Sequence, residues 1–129
     1  MMREILFRGK RADNGNWLFG SLFTRINERY IIPLPLITSK SLVDPVTVGQ
    51  FTGLTDKNGK KIFEGDIVLF GYIGANRGVD GKAVVDFNNG KFGVFWGWHK
   101  DFVPLDGFAN TTLEVVGNIH DNPELMGVD

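Results

Sequence analysis

Apolar residues along this chain come in short runs, and no stretch repeats at the 3.6-residue spacing of a helix. Glu4–Arg8 reads as a strand. Trp17–Phe23 reads as a second, with Asp13-Asn14-Gly15-Asn16 between them as a turn. Arg29–Ile32 is a third. Pro33 and Pro35 stop it, because proline cannot donate to a central ladder, so the strand ends there or lies at an edge. Residues 37–45 read as a loop. Asp44 followed by Pro45 predicts one helical turn over 44–48, with Asp44 as cap and Pro45 pre-set at the first position. Val48–Leu54 is extended again.

The second half repeats the pattern with clearer punctuation. Asp56-Lys57-Asn58-Gly59-Lys60 is a strong turn, since Gly59 adopts positive φ without steric cost. Gly65-Asp66 turns the chain into a strand over Ile67–Tyr72, and a loop with glycines at 71, 74, 78 and 81 follows. Lys82–Phe87 and Lys91–Trp96 flank Asn88-Asn89-Gly90, the clearest hairpin in the chain. Leu113–Ile119 is the last strand, and Asn122-Pro123 opens a short C-terminal helical turn. About eight short strands separated by glycine-rich turns predict an all-β fold. Turn spacing favours a small barrel or sandwich, and the boundary falls near residues 53–65, between an N-terminal β lobe, residues 1–55, and a C-terminal barrel, residues 56–129.

Composition narrows the chemistry. The chain has 129 residues, enough for a core without covalent staples. Cysteine is absent, which excludes disulfides, thiolate catalysis and Cys-containing zinc sites. No run approaches the length of a membrane span, and the start lacks a signal peptide's apolar region. A cytoplasmic protein with no membrane association is expected. The net charge of −1 divides unevenly: residues 1–65 carry 10 basic and 6 acidic side chains, and residues 66–129 carry 4 and 9. The acidic half is a poor duplex-binding face.

Catalytic motifs fail one after another. The Gly-Lys pairs at 59–60, 81–82 and 90–91 lack the upstream Gly and the following Ser or Thr of a phosphate-binding loop. Asp56-Lys57-Asn58-Gly59 has its glycine too early for a calcium loop. The two histidines, His99 and His120, lack metal-ligand spacing, so no metal or other cofactor is expected. Glu64, Asp66 and Asp86, with those histidines, are the residues an enzyme would have to use. Ser21, Ser39 and Ser41 have no nucleophile-elbow context.

Binding chemistry is better represented. Trp96, Trp98, His99 and Phe102 cluster after the hairpin and form the first candidate surface, suited to a protein partner. Arg3, Arg8, Lys10, Arg11, Arg25 and Arg29, with Trp17 and Tyr30, form a second, suited to single-stranded nucleic acid. Self-association through an unpaired strand edge is a further expectation.

Several blocks together carry a family likeness. They are Met2–Lys10, Gly15–Leu22, Val43–Leu54, Asp56–Val68 and Glu114–Leu125. In this order they resemble the YopX family of phage and prophage proteins over nearly the full length. The departures lie in the loops around 71–81 and 97–111. The resemblance implies mostly β structure with an SH3-like barrel in the C-terminal part, and an origin in a bacterial mobile element. It implies no reaction, ligand or catalytic residue. The expectation is therefore a non-enzymatic binding or adaptor module, with a nucleic-acid accessory protein as the alternative and a small acid/His enzyme as a third choice.

Overall fold

The computed structural model describes residues 3–33, 39–71, 81–108 and 111–127. Expectations for Ile37, for Tyr72, for most of the glycine-rich stretch 71–81 and for residues 109–110 of the loop 97–111 lie outside the described residues. The protein is mainly β. Antiparallel strands carry the structure, and helix among the described residues is confined to short 3-10 turns. The chain divides into two compact units, Met1–Gly53 and Leu54–Asp129.

The first unit contains β1 (Phe7–Lys10), β2 (Trp17–Arg25), β3 (Glu28–Pro33), β4 (Ser41–Val43) and most of β5 (Gly49–Thr55). Their order in the sheet is β4-β3-β2-β1-β5. β1 begins three residues later than its apolar run suggests. It continues up to the turn, which Arg11 N–H closes by donating to Asn16 O at 2.8 Å, and Lys10 then pairs with Trp17. Pro33 ends β3, while Arg29–Ile31 pair with β4, so that part of the strand is not an edge. β4 was expected as loop. Three residues show no periodicity, and only pairing with β3 makes them a strand. Ala12 N–H also donates to Leu42 O, and Asp44 N–H to Lys10 O, which tie β4 back toward the end of β1.

The turn at Pro45–Thr47 forms as the sequence predicts, with Asp44 Oδ1 accepting from Val46 N–H at 3.1 Å. Thr47 Oγ1 accepts from Lys10 N–H at 2.9 Å and donates to Asp44 O, locking the turn onto β1. Ile31 and Val43 form the dry centre of this unit. Gly9 is needed there, because a Cβ would come within 3.0 Å of Val43 Cγ2.

The second unit contains β6 (Lys61–Phe63), β7 (Asp66–Phe70), β8 (Gly81–Val84), β9 (Asp86–Asn88), β10 (Lys91–Trp96), β11 (Asp101–Pro104) and β12 (Glu114–Asn118). Two three-stranded sheets result, β12-β7-β8 and β11-β10-β9. No ladder among the described residues joins them, so the expected closed SH3-like barrel is not what the described strands form. A shared core of Ile62, Val68, Phe70, Ala83, Val85, Val94, Leu105, Phe108 and Leu113 holds the two sheets together. The rings of Phe70 and Phe108 lie 4.3 Å apart.

The single strand expected over Lys82–Phe87 is split at Val85. That residue leaves both ladders, donates N–H to Asp66 O and accepts from Gly65 N–H. Tertiary hydrogen bonding thus overrides the continuous apolar run. β11 and the 3-10 turn Leu105–Gly107 carry too little pattern to be read from sequence. The Asn89-Gly90 turn is as predicted, with φ of 51° and 78° at its two central residues. The C-terminal turn Pro123–Met126 also forms. Asn122 does not cap it through its side chain; Asn122 Oδ1 accepts instead from Asn118 N–H at 3.2 Å. Gly117 leaves room for this, since a Cβ would come 2.6 Å from Asn122 Oδ1.

Candidate binding surfaces

The four residues of the first candidate surface do different things. β10 alternates, so Phe92, Val94 and Trp96 face the core while Phe95 faces outward. The Trp96 indole meets Phe70 edge-on at 5.2 Å and lies against Gly81, where a Cβ would come within 2.5 Å of it. Trp96 is thus a wall of the core. Phe102 is half-buried on the opposite face, paired across strands with Phe95 at 5.1 Å. It covers Gly93, whose missing side chain leaves space for the ring.

Trp98 and His99 sit on the turn between β10 and β11. Gly97 at φ 94° and Lys100 at φ 56° set its shape, and Lys100 N–H donates to Gly97 O at 3.1 Å. Trp98 is 95% exposed. Of these candidates Trp98 and His99 are exposed and Phe102 is half-buried, with exposed Phe95 beside Phe102. The sequence analysis missed Phe95; its alternation with Val94 and Trp96 was the available signal.

The basic residues of the first unit also separate. Cross-strand partners share a face, and the register places Arg8, Lys10, Trp17, Phe19, Phe23 and Tyr30 together on one face of the sheet. The Arg8 guanidinium lies 4.7 Å from the Trp17 ring centroid, and Lys10 Nζ lies 5.4 Å from it. Phe23 and Tyr30 meet edge-on at 5.8 Å. Lys40 Nζ sits over both, at 5.6 Å and 5.2 Å. Tyr30 Oη donates to Glu28 Oε1 at 2.8 Å, and this bond to a carboxylate, with some desolvation, holds the phenol pKa above its usual value.

Arg11 is occupied with Asp13 in a two-point ion pair, 2.9 and 2.7 Å, that keeps the carboxyl pKa low and the guanidinium pKa high. Arg29 belongs to the opposite face by register, and its guanidinium donates to the carbonyls of Ile26 and Glu28. Arg3 and Arg25 are exposed. Arg11 and Lys40, with Ala12, Asp13, Ser41 and Leu42, line a shallow cleft of about 280 Å³.

Several of the residues an enzyme would use make local hydrogen bonds. Asp66 is 2% exposed, and its Oδ2 accepts from Phe63 N–H at 2.8 Å across the Glu64-Gly65 turn. Asp86 caps the next residue's amide, His120 N–H donates to Asn118 Oδ1, and His99 is exposed on its turn. No group of three metal-ligating side chains gathers among the described residues.

Asp56 is the carboxylate whose role stands out. Oδ1 accepts from Asn58 and Lys60 N–H, each at 2.9 Å, and Oδ2 accepts from Val115 N–H at 2.9 Å. Burial raises its pKa, but the three amides and nearby Lys60 outweigh burial and hold the carboxyl below its usual value. This ties the 56–60 turn to β12 and is a fold clamp rather than a reacting group.

Fold and surface define a mainly β protein that offers aromatic faces and gathers no catalytic constellation among its described residues. Its family can be stated: residues 6–127 match the YopX protein family, and the chain belongs to it. The chain is similar in fold to a solved structure, protein EF1440 from Enterococcus faecalis, with 22% identity, a TM-score of 0.57, and coverage of 97% of this chain and 99% of that one. No curated protein matches. No helix among the described residues is long and apolar enough to cross a membrane.

Proposed function

We propose that this chain is a non-enzymatic binding module of phage or prophage origin. It acts in the bacterial cytoplasm and docks a protein partner through the β10–β11 turn and the Phe95–Phe102 face. The observation that carries this reading is Trp98, 95% exposed on a turn whose backbone is fixed by two positive-φ residues. An indole has only two side-chain rotations to lose on binding and brings a large apolar area, the profile of an interface anchor. Phe95, 44% exposed and paired with Phe102, adds apolar area on the strands that the turn connects. The two-sheet second unit serves as the scaffold for this surface.

The test is affinity purification from phage-infected host cells with the wild type and with Trp98→Ala and Phe95→Ser. A stoichiometric partner that is retained by the wild type and lost by both variants supports the reading. An interactor set indifferent to both substitutions overturns it. Light scattering at two concentrations identifies the case in which the partner is a second copy.

A further inference from the structure

We propose that the first unit carries a second, independent site, a stacking platform for single-stranded nucleic acid on the sheet face that presents Trp17, Phe19, Phe23 and Tyr30. Three of these rings lie at alternate positions along β2, and Tyr30 pairs with Phe23 across the β2–β3 ladder. From Trp17 to Phe23 the strand advances six residues, about 20 Å at roughly 3.3 Å each, room for several successive bases. Phe19 is 46% and Phe23 40% exposed and Trp17 and Tyr30 are half-buried, so this face is partly accessible to solvent rather than a filled core.

Cations accompany the rings. Lys10 Nζ lies at Trp17, and Lys40 Nζ lies between Phe23 and Tyr30. Arg25 follows Phe23 at the next same-face position. Residues 1–53 carry 7 basic and 4 acidic side chains, a net +3, whereas the whole chain is −1. Aromatic faces alternating with basic termini match a polymer that alternates planar bases with phosphates. A duplex fits poorly, because its base faces are already stacked on one another and a sheet surface cannot reach them. An uncharged apolar partner gives the platform's cations nothing to attract. An acidic peptide would attract the cations but would give the rings nothing planar to stack on.

Sequence alone pointed to a basic, aromatic N-terminal half, but with a different membership. Arg8 shares the face by register but is buried, only 7% exposed, whereas the structure retains Lys10, Trp17, Arg25 and Tyr30 on the platform. It adds Phe19, Phe23 and Lys40, and assigns Arg11 to Asp13 and Arg29 to backbone carbonyls.

Fluorescence anisotropy with a labelled 16-residue oligothymidine, its RNA equivalent, a duplex of equal length and a labelled oligoglutamate tests this on the full chain. The expected result is binding of both single strands, weaker binding of the duplex and none of oligoglutamate. Three engaged cations imply a log–log salt slope of about −2, so affinity falls roughly twentyfold between 50 and 200 mM salt. Phe19→Ala and Phe23→Ala each weaken binding about tenfold or more. Lys40→Gln lowers affinity and makes the salt slope shallower. Circular dichroism confirms that the variants are folded, and Trp98→Ala binds as the wild type does, which separates this site from the docking surface. Any of four results overturns the proposal: no single-strand binding at 50 mM salt, duplex bound as tightly, oligoglutamate bound as tightly, or Phe19→Ala and Phe23→Ala binding unchanged.

Discussion

Asp56→Ala removes one carboxylate and three hydrogen bonds at once. Asp56 is only 7% exposed, and its partners are the amides of Asn58, Lys60 and Val115. The Val115 amide is part-buried at the start of β12, and leaving it without an acceptor costs about 1–3 kcal/mol. The two turn amides can turn to water, so each loss costs about 0.5 kcal/mol, the low end for a hydrogen bond. The expected destabilisation is about 2–4 kcal/mol. In urea, with an m-value of about 2 kcal/mol/M, the midpoint falls by about 1–2 M. Trp96 emission follows the transition, because its indole packs on Phe70 in the same unit. Asp56→Asn keeps one acceptor and costs about half as much.

The pH dependence has a definite sign. The folded pKa of Asp56 is lowered, so its stabilisation is fully present above the unfolded value of about 4 and is lost as pH falls through the folded value. The gap between wild type and Asp56→Asn therefore narrows on acidification below about pH 4. A wild-type midpoint in Asp56→Ala, or a gap that widens with acid, refutes the clamp. So does unchanged hydrogen exchange at the Val115 amide.

Gly93→Ala places a Cβ against Val103 O and the Phe102 ring, and costs about 1–3 kcal/mol in urea unfolding through overpacking of the β10–β11 ladder. Gly90→Ala keeps an open surrounding but forces a side chain onto φ 78°, and destabilises by about 1 kcal/mol. Trp98→Ala changes the unfolding free energy by less than about 0.5 kcal/mol, since its side chain is in water, so a binding defect in this variant is not a folding defect. Glu28→Gln removes the carboxylate that accepts from Tyr30 Oη, and ultraviolet titration then shows Tyr30 ionising at lower pH than in the wild type.

Short apolar runs ended by Asn-Gly, Asp-Pro and Gly-Asp determined the mainly β class and most strand positions, because those turns need only local geometry. Asn89-Gly90 and Asp44-Pro45 are local devices of this kind: positive φ in one case, a side-chain cap and a fixed φ in the other. Membership of the YopX family was legible in the order of the blocks from Met2 to Leu125 that resemble it, and the family match bears it out.

What the sequence left open depends on which strand lies beside which. Ser41–Val43 is a strand only because Arg29–Ile31 lie next to it, and Val85 interrupts its apolar run only because Asp66 and Gly65 claim its backbone. The same holds for the surfaces. Composition placed Trp96 and Trp98 together and Arg11 and Arg29 among the free cations. A strand's two-residue period sends Trp96 into the core, while cross-strand register brings Phe23 and Tyr30 together, with Lys40 over both rings. Register is a long-range quantity, set by burial of one face against another, and no window of a few residues contains it.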